Sequence, residues 1–375
     1  MINKGNYITA DCYADHFSSS YCFFKDNKTY NGKAGEEQVR KRTRNHNLSI
    51  KGIFKLGNRH KLSVGTEYIV DVLKSQTDNI AKEDAYTLAL FAQDEIKLLR
   101  NLQALIGVRY IYHENFKNHA TPNVALMYKP GKFNFRASYA AGFRTPTLSE
   151  LYATDIAKKN DRLTIGNLDL KPEKNNYFSL SAEYVHERFS VSVNAFYNNI
   201  RDMIDYNTIA TGDKAMEQYG HKEVRQRDNI AEAKVYGINV SANAYLGAGF
   251  NLSGGYTHLN TQDVELEQPI DKSIKNAYNI NAQWAHSWKI YRLNINLNGR
   301  INSKRFSKSY GYAPEYQLWD LNTRHSFNLK SVIIEPGFGM ENLFDYMDDR
   351  PYNSNYATHT PGRSFYISLS LKFKS

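Results

Sequence analysis

Apolar and polar side chains alternate with a period of two along almost the whole chain. In the final run Phe365, Ile367, Leu369, Leu371 and Phe373 fall on one face of a strand, and Ser364, Tyr366, Ser368, Ser370 and Lys372 on the other. The cleanest run sets Tyr291, Leu293, Ile295, Leu297 and Ile301 against Arg292, Asn294, Asn296, Asn298 and Arg300. One such strand fits a half-buried soluble sheet as well as a barrel wall between lipid and water. The number of repeats and the spacing of their connections separate the two.

Tyr7 to Lys25 reads as one long strand. Leu48, Ile50, Gly52, Phe54 and Leu56 turn at Gly57-Asn58 into Leu62, Val64, Thr66, Tyr68 and Val70, which predicts a hairpin. Tyr86 to Ala92 and Leu102 to Tyr112 form a second pair, Asn123–Lys129 and Phe133–Ala141 a third, and Phe178–Tyr184 and Phe189–Tyr197 a fourth. The pattern predicts about sixteen strands. Short turns near 57–60, 100–101, 130–132, 187–189, 247–249, 288–290 and 329–331 alternate with polar loops at 26–40, 75–83, 142–173, 201–227, 262–273, 303–315 and 346–361. Sandwiches and propellers have shorter strands and no such asymmetry. The expected fold is all-β, a transmembrane antiparallel β-barrel spanning 1–375 with its C-terminus on the short-turn side. Tyr184, Tyr197, Trp284, Trp288, Tyr291, Phe306 and Trp319 lie near strand ends, where interfacial aromatic girdles belong.

Composition sharpens this reading. Tyr and Phe number 28 and 19, and no run approaches the ~18–20 apolar residues of a membrane-spanning helix. Mean hydropathy is −0.61, as expected where alternation averages apolar and polar faces. The formal charge of +10 is spread out, so nucleic acid is not an expected partner. The densest basic group, Arg40 to Arg44, opens a strand and suits a rim facing anionic lipid headgroups or an anionic ligand. Cys12 and Cys22 on one extended strand would stand roughly 33 Å apart, beyond disulfide reach unless the chain folds back. Met1 to Tyr7 has no apolar stretch of signal-peptide type, which suggests a fragment of an exported protein.

The longest insertion opens Gly142-Phe143-Arg144-Thr145-Pro146-Thr147-Leu148-Ser149-Glu150-Leu151-Tyr152 and closes Gly166-Asn167-Leu168-Asp169-Leu170-Lys171-Pro172-Glu173. Further on stand Asn342-Leu343-Phe344-Asp345 and Pro361-Gly362-Arg363. In these segments, and in their order, the chain resembles the TonB-dependent outer-membrane receptors. Phe143, Arg144, Pro146, Glu150, Asn167, Leu170, Pro172, Asn342, Phe344, Asp345, Pro361, Gly362 and Arg363 carry the resemblance. Family barrels have about 22 strands and an N-terminal plug. The resemblance therefore covers the C-terminal two-thirds of such a barrel, without plug, first strands or TonB box. Family members also commonly end on an aromatic residue, whereas Lys374-Ser375 follow Phe373 here, which bears on recognition by the barrel-assembly machinery.

The resemblance implies a barrel in the Gram-negative outer membrane, in contact with its lipid. It implies uptake of a scarce metal chelate (ferric siderophore, cobalamin or haem), powered by the TonB complex acting on a plug. It implies no enzymatic activity, and the residues offer no catalytic constellation. Loop aromatics and cations suited to ligand are Tyr152, Arg162, Tyr219, His221, Tyr310, Tyr312, Tyr352 and Tyr356. Related haem receptors place a histidine between the two long motifs. Here 147–166 has none, and His221 and His359 lie in other loops. Arg109, Glu183, Arg292 and Arg300 point inward and suit either a plug or a wetted wall. No resident cofactor or metal is expected. Loop calcium at Glu36-Glu37 or Asp348-Asp349 competes with simple solvated charge pairs. Pro146 suits a second reading of its motif as a loop shaper: it ends the strand, and a helical turn capped by Thr147 follows, with Glu150 in its first turn. A passive sixteen-stranded channel and a soluble all-β carbohydrate-binding protein are the alternatives.

Overall fold

The computed structural model describes residues 5–28, 31–157, 160–307, 311–348 and 360–374. The strands in chain order are β1 (Tyr7–Cys22), β2 (Glu37–Leu56), β3 (His60–Ser75), β4 (Ile80–Leu99), β5 (Leu102–His113), β6 (Lys117–Tyr128), β7 (Phe133–Arg144), β8 (Thr154–Ala157), β9 (Arg162–Ile165), β10 (Glu173–Val185), β11 (Phe189–Thr211), β12 (Glu223–Gly247), β13 (Phe250–Asp263), β14 (Asn276–Trp288), β15 (Tyr291–Asn302), β16 (Arg305–Ser307), β17 (Gly311–Ala313), β18 (Tyr316–Asn328), β19 (Val332–Glu341) and β20 (Ser364–Phe373). Two helices, α1 (Leu148–Tyr152) and α2 (Gly212–Tyr219), interrupt them. Four strands have only three or four residues, which leaves sixteen long ones among the described residues. Their short turns fall within a residue of the positions expected from sequence.

The chain divides into two compact units, Met1–Leu126 with Ser138–Tyr177 and Asn199–Glu232, and Met127–Ala137 with Phe178–Asn198 and Ala233–Ser375. In the first, β1 to β5 pair in sequence order as an antiparallel ladder. The β2–β3 turn closes on Gly57, whose φ of 62° lies where a Cβ is costly. In the second, β12, β13, β14, β15, β18, β19 and β20 form a matching ladder. β1 pairs with β2, and β20 with β19. Cys12 and Cys22 share β1, both exposed and free, so the chain does not fold back between them.

The long strands expose their apolar face. Along β11, Phe189, Val191, Val193 and Tyr197 are exposed while Ser190, Ser192, Asn194 and Phe196 are partly covered. On β20, Phe365, Ile367, Leu369 and Phe373 are each at least 66% exposed. A water-soluble chain would bury such a stripe. Two aromatic rings bracket it in the second unit. At the turn end Phe133, Tyr184 and Phe189 make one run of ring contacts, and Phe250, Trp284, Trp288, Tyr291 and Phe327 another. At the loop end Tyr197 meets Tyr236, Tyr256 meets Tyr278, and Trp319 meets Phe344. Phe189 to Tyr197 is about 26 Å of strand, or about 20 Å along the axis at the usual tilt, near the ~25 Å apolar band of outer-membrane barrels. Phe306, expected in a girdle, instead sits on the small β16–β17 hairpin, 5.3 Å from Tyr312.

Buried apolar residues gather at the loop end. Leu73, Ile80, Ala85 and Leu148 form one cluster, Leu151, Leu170 and Ile204 a second, and Leu163, Ala210, Ala215 and Val224 a third. The insertion expected over 201–227 is largely strand, because β11 and β12 continue through it to α2. The loop expected over 75–83 shrinks to four residues, 76–79. A segment packed against loop neighbours keeps its ladder bonds, since bare backbone there would be unpaired.

Candidate functional site

Pro146 ends β7, and Thr147 caps α1 in a reciprocal box. The Glu150 amide donates to the Thr147 hydroxyl at 3.2 Å, and the Thr147 amide to the Glu150 carboxylate at 2.8 Å. The Arg144 guanidinium then joins both ends of the insertion. Its Nη1 donates to Glu150 Oε2 at 3.0 Å and its Nε to Glu173 Oε2 at 2.7 Å. Glu173 Oε1 also accepts the Ile204 amide at 2.9 Å, which ties in the next insertion. Burial pushes the Glu150 carboxyl up, but Arg144 and the Thr147 amide outweigh it and hold the group below the usual carboxylate range.

The other motif residues support the same loop. Phe143 stacks on His119 at 4.0 Å, Leu170 and Pro172 are buried, and Asn167 donates its amide to the Glu150 carbonyl at 3.0 Å. Three residues without a sequence signal complete it. Asp78 accepts the Ser149 hydroxyl at 3.0 Å and pairs with Lys41 at 3.4 Å. Asn229 accepts the Lys171 amide at 2.7 Å and donates to the carbonyls of Lys171 and Asp202. Asp161 accepts the Lys222 amide on its carbonyl and pairs through its carboxylate with His221.

The two long insertions are one assembly. β9 adds in parallel to the start of β12, Arg162 opposite Glu223 and Ile165 opposite Gln226. Leu163, Ala210, Ala215 and Val224 pack beneath, with Tyr219 against them. Arg162, Tyr219 and His221 therefore share this assembly. The His221 Nδ1 lies 2.8 Å from Asp161, and that contact holds the Asp161 carboxyl low. The Arg162 Nε is buried without a hydrogen-bond partner. Tyr152 lies half-buried between the other two clusters, where burial pushes its phenol up and keeps it a neutral donor. Tyr312 is 58% exposed on β17. Tyr310, Tyr352, Tyr356, His359 and Asp349 lie outside the described residues. The Glu36 carboxylate is taken by the Lys33 amide and Gln38. No group of three or more His, Cys, Asp or Glu side chains among the described residues is placed to hold a metal.

The inner strand faces carry paired polar groups. Arg109 bonds Glu67, which also accepts from Asn47 at 2.8 Å. Glu183 accepts from Asn134 at 2.7 Å. Arg292 and Arg300 stand in a row with Asn294, Asn296 and Asn298, and Arg300 lines a cleft of about 400 Å³ with Ser241, Asn243, Asn279 and Asp320.

The last two motifs meet. Asn342, 4% exposed with φ of 51°, donates to the carbonyls of Tyr346 at 2.7 Å and Pro361 at 3.1 Å, and accepts the Tyr346 amide at 2.8 Å. Asp345 accepts the Arg363 amide at 2.7 Å. Replacing Asn342 with Ala removes three bonds at a buried site and a residue suited to positive φ, so we expect a loss of about 2–3 kcal/mol. Asn342→Gly, which keeps the backbone freedom, should lose less. Urea unfolding of both variants from detergent measures the difference.

A family model described as TonB dependent receptor-like, beta-barrel, matches residues 4–343. The iron-regulated outer membrane virulence protein of Vibrio cholerae serotype O1 is 25% identical over 338 residues, which is 84% of this chain and 49% of that protein. This chain thus spans about half the length of the curated relatives it matches. Among solved structures, the ferric enterobactin receptor PfeA of Pseudomonas aeruginosa superposes with a TM-score of 0.79 at 18% identity, covering 98% of this chain and 59% of that one. The siderophore receptor PirA of Acinetobacter baumannii gives 0.72 at 16% identity, covering 98% and 63%. With the alternating wall, the aromatic rings and the motif-built loops, these matches lead to one assignment: this outer-membrane chain belongs to the TonB-dependent receptor-like β-barrel family.

Proposed function

We propose that this chain forms the barrel wall and binding loops of a receptor that takes up an iron(III) chelate of siderophore type. The carrying observation is the loop assembly. Arg144, Glu150, Glu173 and the β9–β12 pairing hold two long insertions in one arrangement, so little ordering would remain to oppose ligand binding. Tyr152, Arg162, Tyr219 and His221 on that assembly, with Tyr312 and, outside the described residues, Tyr310, Tyr352 and Tyr356, are the proposed contacts. Phenols and cations of this kind suit an anionic, aromatic chelate. The names of the matched relatives, an iron-regulated outer membrane protein and siderophore receptors, favour iron over cobalamin or haem.

In this family coupling to the TonB complex runs through a plug domain. Arg109, Glu183, Arg292 and Arg300 are the proposed plug-facing groups of the wall. Insertion would use the barrel-assembly machinery and surrounding lipid. The test is tryptophan-fluorescence titration of the full-length protein with ferric tris-catecholate, the iron-free catecholate, cobalamin and haem, alongside planar-bilayer conductance. Sub-micromolar binding of the ferric form with a closed conductance is expected. Failure of every ferric chelate together with open-pore steps would make it a passive channel.

A further inference from the structure

We propose that the outward face of β1 to β4, just beyond the aromatic ring at the loop end, binds the phosphate groups of an outer-leaflet lipid headgroup through Arg42, Arg44 and Lys74. This rests on the membrane reading of the barrel and is independent of the transported ligand. Register fixes the face. Leu48 pairs with Tyr68, His46 with Val70, Arg44 with Val72 and Arg42 with Lys74, with no shift between them. Arg42, Arg44 and Lys74 therefore share the face of Leu48, Ile50 and Tyr68, the lipid side. Arg42, Arg44, His46, Leu48 and Ile50 are exposed, and the alternate residues Lys41, Thr43, Asn45, Asn47 and Ser49 are partly covered.

Height is fixed by the ring. Tyr68, Tyr86 and Tyr112 lie 6.0 and 6.1 Å apart across β3, β4 and β5, and Tyr86 is opposite Val70. The Arg44–Val72 row stands two residues beyond Val70 and the Arg42–Lys74 row four, about 7 and 13 Å of strand further out. That is headgroup depth above an interfacial aromatic belt.

The charges there are unanswered within the chain. Arg42 sits directly across from Lys74, a like-charge pair that costs stability in a sheet. The next outward pair sets Arg44 beside His16 on β1. Asp84, the carboxylate across from Val72, is held by Lys82 at 3.0 Å. Among the described residues Arg42, Arg44 and Lys74 make no ion pair. Elsewhere on the same strands cations do find carboxylates, His60 with Asp94, Lys61 with Glu95 and inward Lys41 with Asp78. Arg40 falls at the register shift between β1 and β2 and lies over Tyr21 at 5.1 Å. Three uncompensated cations beyond an aromatic belt match a phosphate-bearing headgroup, the anion that this depth supplies.

The test compares the full-length protein with Arg42→Gln/Arg44→Gln/Lys74→Gln in neutral-detergent micelles. Each is titrated with bis-phosphorylated lipid A, its dephosphorylated form and inorganic phosphate, and bound lipid is counted by native mass spectrometry. We expect the bis-phosphorylated lipid to bind the wild type, and the triple variant about a hundredfold more weakly, at about fivefold per cation. The double lysine variant of the arginine sites, Arg42→Lys/Arg44→Lys, should keep most of the binding, and Lys51→Gln, one charge removed from the opposite face, all of it. Equal binding by the triple Gln variant, equal binding of the dephosphorylated lipid, or full competition by inorganic phosphate would overturn the proposal. Ferric-chelate binding measured on the same samples reports separately on the receptor reading.

Discussion

Val193→Arg is expected to cost the folded barrel about 2–4 kcal/mol in lipid, while Asn194→Arg, one residue on, costs little. Val193 is 40% exposed at mid-strand on β11, between the ring residues Phe189 and Tyr197. In a water-soluble protein an arginine replacing an exposed valine is close to neutral. Here that face meets hydrocarbon, and a guanidinium at the midplane of a barrel wall carries a penalty of that size. Asn194 faces the other way, lining a polar cleft with Ser192 and Glu183, and an arginine there stays in contact with water. Refolding into phospholipid vesicles, followed by gel mobility and urea titration, measures both. Equal stability of the two variants would sink the membrane reading, and with it the lipid-headgroup proposal.

The second large effect is at Arg144. Arg144→Ala removes a guanidinium shared by Glu150 and Glu173 and leaves two carboxylates 13% and 16% exposed without their cation. Hydrogen bonds to charged partners are each worth about 1.5–3 kcal/mol. Arg144 is itself 42% exposed, so solvent screening discounts the sum to about 2 kcal/mol for the loop as a whole. The β-ladder below should be unaffected. We expect faster amide exchange over 145–173 and around Ile204, and weaker chelate binding, with the thermal midpoint of the barrel unchanged. Arg144→Lys should recover only part, because one ammonium cannot reproduce the fork.

The same triad sets a pH dependence. The Glu150 carboxyl is lower in the folded loop than in an unfolded chain, so its contribution is fully present above the unfolded value, about 4.3. It is lost as pH falls through the folded value. Protection of the loop amides, taken relative to their intrinsic exchange at each pH, should therefore be flat from pH 7 to about 5 and fall below about pH 4. In Arg144→Ala the acid step should disappear, because burial then dominates at Glu150, and the loop should be less protected than in the wild type at pH 7. A loop equally protected in both proteins at pH 7 would count against Arg144 as the clamp.

How much of this was legible beforehand follows from which interactions are periodic. Strand existence, the facing of each residue and the order of short and long connections were readable because a barrel wall repeats one rule, lipid on one side and water on the other. Leu369 or Val193 obeys it whatever its neighbours. The capped turn after Pro146 was readable too, since a capping box is local. The motifs at Asn342 and Pro361-Gly362-Arg363 could be noticed singly, but their junction through the Asn342 amide required the fold, because nineteen residues separate donor and acceptor.

The loop assembly belongs to tertiary structure alone. The parallel pairing of β9 with β12 joins segments some sixty residues apart, and Asp78, Asp161 and Asn229 acquire their roles only from what the fold brings within hydrogen-bond reach. Tyr219 and Tyr312 look alike in sequence, yet one packs against a buried cluster and the other stands exposed. Alternation by itself fixed a wall with a lipid face and a wet face, because the pleat enforces it residue by residue. Which cations on the lipid face go unanswered, and which loop groups are clamped, depended on cross-strand register and long-range hydrogen bonds that no local pattern encodes.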